Sequence, residues 1–119
     1  MLVALRFTVA DGNDANFRRR AETAMTALSA CPGFRRGGLS RAIDNAHCWL
    51  LLTEWESVGA WRRALSSYDV KMSAVPLLSQ ALDDPSAYET LVVDDGAGTG
   101  LRIVESDRAP DADTAGPVR

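Results

Sequence analysis

The run Cys48-Trp49-Leu50-Leu51-Leu52-Thr53-Glu54-Trp55 places the strongest limit on what this chain can fold into. With His47 it reads as a β-strand over 47–55, bounded by the turn residues Asp44-Asn45-Ala46 and the polar Glu56-Ser57. Successive side chains of a strand point to opposite faces. Trp49, Leu51, Thr53 and Trp55 therefore share one face, and Cys48, Leu50, Leu52 and Glu54 share the other. Both faces are mainly apolar. A sheet covered by helices on one side normally turns a polar face to water. Leaving this second face wet would cost about 25 cal/mol for each Å² that could be buried.

The rest of the chain supplies a sheet and one layer of cover. Residues 2–9 alternate, with Val3, Leu5, Phe7 and Val9 opposite Leu2, Ala4, Arg6 and Thr8, and read as a first strand. Phe17, Ala21, Ala24, Met25 and Leu28 follow the helical period through 15–30, with Asn13 or Asp14 as the cap. Cys31-Pro32-Gly33 stops that helix. Residues 34–43 read as a second strand, bulged or bent at Gly37-Gly38, and pair with 47–55 as a hairpin.

Ser57 or its neighbour opens a second helical region, with a break and restart at Ser66-Ser67 and a kink at Pro76. Residues 86–93 read as a fourth strand. The order β-α-β-β-α-β predicts a ferredoxin-like α+β fold with a four-stranded antiparallel sheet and both helices on one face. The domain is expected over 1–93. A flexible acidic tail is expected over 94–119, with a short strand at 101–104 as an alternative for its apolar island. That tail is too polar to cover the second face of the sheet. Isologous pairing of two copies is the simplest cover, so a homodimer is predicted.

Charge narrows the partners. Residues 1–93 carry ten acidic and ten basic residues, and the net −3 arises in the tail. A neutral body gives no electrostatic ground for nucleic acid or an anionic membrane as partner. No run reaches the roughly 20 apolar residues of a membrane helix. The first residues have no basic leader, so a cytoplasmic location is expected, with Cys31 and Cys48 as free thiols.

Few residues carry recognisable chemistry. His47, the single histidine, reads either as a strand-end turn residue or as a general base. It and Cys48 point to opposite faces, and no metal site is expected. The serines have no neighbouring histidine, and no phosphate loop is present. Arg18-Arg19-Arg20 and Arg35-Arg36 read as solvated faces. Trp61 and Tyr68 lie seven apart and would share a face of one continuous helix. There, with Trp55, they would stack on a flat substrate while Arg6 or Arg41 steadies its anion. Otherwise the two rings are core.

The Cys-Pro-Gly-Phe turn at 31–34, the Trp-rich third strand and Thr53-Glu54-Trp55-Glu56-Ser57 leading into a helix with Trp61 resemble the antibiotic-biosynthesis-monooxygenase-like family. The resemblance covers about residues 1–93. It implies a dimeric α/β barrel with two sheets face to face and a pocket between sheet and helices in each subunit. For some relatives it implies oxygenation of polycyclic aromatics without metal or flavin. The chain departs from the family pattern where many members carry a second-helix histidine: Arg63, Ala64 and Leu65 stand there. The haem-degrading relatives' helix tryptophan and histidine ligand fall near Ala64 and Ala74, and their strand-one asparagine near Arg6, which argues against haem. The resemblance thus implies a cofactor-independent monooxygenase-like protein binding a small aromatic molecule between helix two and the sheet. Tyr68, Arg6 and His47 are the catalytic candidates, and Trp61, Tyr68, Arg41 and Trp55 the binding candidates. The alternative is a non-catalytic dimeric module that binds a ligand or a protein.

Overall fold

The computed structural model describes residues 1–106 and Arg108; of the expected acidic tail, residue 107 and residues 109–119 lie outside the described residues. The chain divides into two compact units, Met1–Tyr88 and Glu89–Arg119.

The first unit contains β1 (Leu2–Thr8), α1 (Asp14–Ser29), β2 (Phe34–Arg41), β3 (Cys48–Trp55), α2 (Val58–Leu65), α3 (Tyr68–Ser73), α4 (Val75–Leu78) and β4 (Ala87–Tyr88). Its sheet is antiparallel, with strand order β2-β3-β1-β4. This is the ferredoxin-like α+β arrangement that the element order predicts. The alternation of β3 sets its layers. Trp49, Leu51, Thr53 and Trp55 are buried under the helices together with Val3 and Phe7 of β1. Phe17, Ala21, Ala24 and Leu28 of α1, Ala60 and Ala64 of α2, and Val70, Ala74 and Leu77 complete that core.

Trp55 is fully buried and joins three elements. Phe34 of β2 meets its ring edge-on at 5.2 Å, and Trp61 of α2 packs against it at 5.5 Å. Its indole N–H donates to Thr53 Oγ1 at 2.8 Å, which satisfies both buried polar groups. At the other end of the strand, Phe17 bridges Phe7 and Trp49, with ring centroids 5.1 and 5.4 Å apart.

Local sequence explains most boundaries. Ser57 Oγ accepts from the Ala60 amide and caps α2; Ser67 Oγ accepts from the Val70 amide and restarts the chain as α3. Asn13 precedes α1 but makes no side-chain cap bond. Gly33 turns α1 into β2 at φ 88°, and a Cβ there would come within 2.5 Å of the Ala60 Cβ. Glycine is required at this position on both counts.

Three expectations are corrected. The β2 irregularity lies between Phe34 and Arg36, whereas Gly37 and Gly38 pair in regular register. Gly37 instead makes room for Met25, whose sulfur would be 2.6 Å from an added Cβ. The fourth strand is only Ala87–Tyr88, paired with Leu2 and Val3. Val92–Val93 forms β5 of the second unit and pairs with β6 (Arg102–Ile103), so the apolar island of that unit is a strand. Trp61 and Tyr68 also fall on separate helices, because Ser67 adopts an extended conformation between them.

Replacing Thr53 by valine keeps the shape of the side chain but leaves the Trp55 indole N–H unpaired. The expected loss is about 1–3 kcal/mol of unfolding free energy, measured by urea denaturation, with an unchanged far-ultraviolet circular dichroism spectrum.

Candidate functional site

The residues singled out in the sequence do not converge. Trp55 and Trp61 are brought together, but as packed neighbours within the core cluster. Tyr68, at the first turn of α3, is 74% exposed. Arg6 lies on the face of the sheet opposite Trp55. Its Nε and Nη2 both donate to Asp84 Oδ2, at 2.9 and 2.6 Å. The hydrogen bonds that Arg6 donates to Asp84, and then the charge of that carboxylate, raise the Arg6 guanidinium above its ordinary pKa. A raised value makes the stabilisation complete at neutral pH and lost only as pH climbs through it in strong alkali.

Arg41 stands at the end of β2. Its guanidinium lies over the Trp49 ring at 5.2 Å and its Nη1 donates to Asp14 Oδ2 at 3.2 Å, tying the sheet to the start of α1. His47 lies in the turn before β3, with Nε2 2.7 Å from Asp11 Oδ1 and its backbone N–H donated to Asn45 Oδ1. The first geometry fastens a strand to a helix, and the second fastens two turns together. Among the described residues no group of three or more His, Cys, Asp or Glu is placed to hold a metal ion. Cys31 and Cys48 are both unpaired thiols.

Concave surface occurs elsewhere. No helix of this unit covers the second face of the sheet, where Leu2, Ala4, Cys48, Leu50 and Leu52 are half-buried. Two clefts indent it. One, of about 290 Å³, lies against Leu2, Leu52, Gly38, Ser40 and the Arg36–Glu54 pair. The other, of about 310 Å³, is floored by Ala4 and Leu50 and walled by Arg6, Asp84, Pro85 and Tyr88. The Tyr88 hydroxyl donates to the Pro85 carbonyl at 2.9 Å.

A third groove, of about 500 Å³, runs between α1 and the α3–α4 segment. Asn16, Arg19, Arg20 and Thr23 form one wall; Met72, Ser73, Pro76 and Leu77 form the other. Reading Arg18-Arg19-Arg20 as a plain solvated face misses this groove. The available signal was the spacing of 16, 19, 20 and 23, which repeats at one face of a helix.

The sequence profile of the antibiotic biosynthesis monooxygenase family matches residues 1–72. With the ferredoxin-like sheet described above, this places the chain in a defined class, and it belongs to the antibiotic biosynthesis monooxygenase family. SnoaB from Streptomyces nogalater, a cofactor-independent oxygenase, is similar in structure with a TM-score of 0.60 and 27% sequence identity, covering 76% of this chain and 94% of that one. A conserved protein from Methanosarcina mazei Go1 superposes with a TM-score of 0.59 at 21% identity, over 72% of this chain and 84% of that one. Rv0793 from Mycobacterium tuberculosis shares the fold at a TM-score of 0.56 and 16% identity, over 92% and 96% of the two chains. No functionally curated protein matches the sequence.

The two aromatic candidates separate experimentally. Trp61→Ala removes a ring packed on Trp55 and is expected to destabilise the fold by about 2–4 kcal/mol. Tyr68→Ala, at an exposed position, is expected to change stability by less than about 0.5 kcal/mol. Paired urea melts of the two variants check this.

Proposed function

We propose that this chain is a homodimeric, cofactor-independent monooxygenase-like protein that binds a small aromatic molecule and acts in the cytoplasm. The observation that carries the catalytic part is the likeness to SnoaB, which spans nearly the whole of that oxygenase at 27% identity. In cofactor-free oxygenation the substrate's own anion is the reductant. An anthrone loses a proton from its central CH₂, and the carbanion then reduces O₂ to a bound hydroperoxide. Loss of water leaves a carbonyl, so that CH₂ and O₂ become C=O and H₂O. The protein's part is to gather the anion, hold its charge and shield it from solvent.

The pairing rests on the sheet face that no helix of the first unit covers. Its charged groups neutralise one another within one copy: Arg6 with Asp84, and Arg36 with Glu54 at 3.1 Å. A self-neutralised apolar face can meet its own copy without like-charge repulsion, as isologous contact requires. A second reading, a non-catalytic ligand-binding dimer, is favoured by the Phe34–Trp55–Trp61 packing, which fills space between α2 and the sheet.

Light scattering on the purified chain is expected to give a dimer at micromolar concentration, and Leu50→Asp to shift it toward monomer. Dimeric protein is expected to consume one O₂ per anthrone, well above buffer. A well-behaved monomer would remove the assembly, and uptake equal to buffer from folded dimer would leave the binding module as the reading.

A further inference from the structure

We infer that the groove between α1 and α3–α4 is a binding site for a small amphipathic anion: a fused-ring aryl carboxylate or phenolate. The inference rests on the reading that the chain takes a small aromatic molecule, and adds where that molecule lies and what charge it carries.

The two walls of the groove differ in chemistry. Arg19 and Arg20 face it from α1 with the side-chain amide of Asn16 one turn earlier. Among the described residues no carboxylate is within ion-pair distance of either arginine. Arg20 is half-buried and held by a neutral partner, its Nη1 donating to Gln80 Oε1 at 3.2 Å. This anchors the guanidinium without discharging it and leaves other N–H groups to fork onto an anion. On the sheet face that no helix of this unit covers, by contrast, Arg6 and Arg36 are already neutralised by Asp84 and Glu54.

The opposite wall is apolar. Leu77 is buried, and Met72 is 61% exposed. A thioether lying bare beside two arginines with no carboxylate partner among the described residues suits a ligand that presents an aromatic face to sulfur and an anionic edge to arginine. Ser73 adds a hydroxyl for a second polar atom. The volume, about 500 Å³, lies in the range of small-molecule sites, roughly 300–1,000 Å³.

The test uses the full chain with two probes of equal shape, naphthoate and the uncharged naphthyl methanol, followed by calorimetry and by amide shifts in nitrogen-labelled protein. Naphthoate is expected to bind roughly tenfold more tightly, with shifts along α1 and α3 and a preference that fades with added salt. Replacing both arginines (Arg19→Gln with Arg20→Gln) should erase the preference, and Arg62→Gln on exposed α2 should keep it. Met72→Asp should abolish binding of both probes. Equal affinity for the two probes, a preference that survives the double variant, or shifts confined to the sheet face would overturn the site while leaving aromatic binding standing. Failure of both probes to bind at millimolar concentration would overturn both readings. Naphthoate bound in the groove of a protein that consumes no O₂ would uphold the site and remove the oxygenation alone.

Discussion

The burial of Trp55 is the constraint on which the first unit depends. Its ring is completely shielded from water, its indole N–H is satisfied by Thr53, and it touches β2 through Phe34 and α2 through Trp61. Its backbone also extends the pairing of β3 with the chain start, since the Trp55 N–H donates to the Met1 carbonyl at 2.8 Å. One residue thus fixes the register of the central strand pair and the seat of the second helical region. A ring of this size buries 150–250 Å² in general. The same packing has a functional consequence: side chains occupy the space between α2 and the sheet that an aromatic ligand would otherwise enter.

Much of this was legible in the sequence because it is governed by period and by end chemistry. Alternation in β1 and β3 assigns every residue of those strands to the face on which it is found, from Val3 and Phe7 to Leu50 and Leu52. The 3.6-residue period gives the buried face of α1, and serine capping chemistry gives both the start of α2 and the restart at Ser67. What escaped was set by tertiary contact. Nothing local distinguishes Arg35 from Gly37 as the irregular position of β2; the register is decided by where Phe34 reaches Trp55 and where Met25 presses on the strand. The alternating stretch 86–93 carries no signal for its division into a two-residue edge strand and a separate hairpin with Arg102–Ile103.

The candidate site was less legible, for a reason visible in one pair of residues. Trp61 and Tyr68 share a face only while a single helix runs through both. The extended backbone at Ser67, ψ 149°, resets the phase, so one ring enters the core and the other turns to solvent. Arg6, Arg41 and His47 each find a carboxylate near at hand, and the pairs they form span long stretches of sequence that no local pattern connects. Ion pairs of this exposed kind are worth little stability. They do decide which cations remain free to meet a ligand.

That division of charge separates the sheet face from the α1 groove. On the sheet face that no helix of the first unit covers, Arg6 and Arg36 are each matched by an acid of the same copy, which suits contact with an identical neighbour and leaves little field to attract an anion. On α1 the reverse holds: Arg19 and Arg20 stand opposite sulfur and leucine with no carboxylate to quench them among the described residues. Cofactor-free oxygenation makes an anion of its substrate before O₂ is reduced, so a surface that gathers anions is what such chemistry requires first. An enclosed, water-free chamber is required next, and the open α1 groove alone does not provide it. Binding an anion asks only for the groove, whereas its reaction with O₂ also asks for a cover from beyond the groove's helical walls.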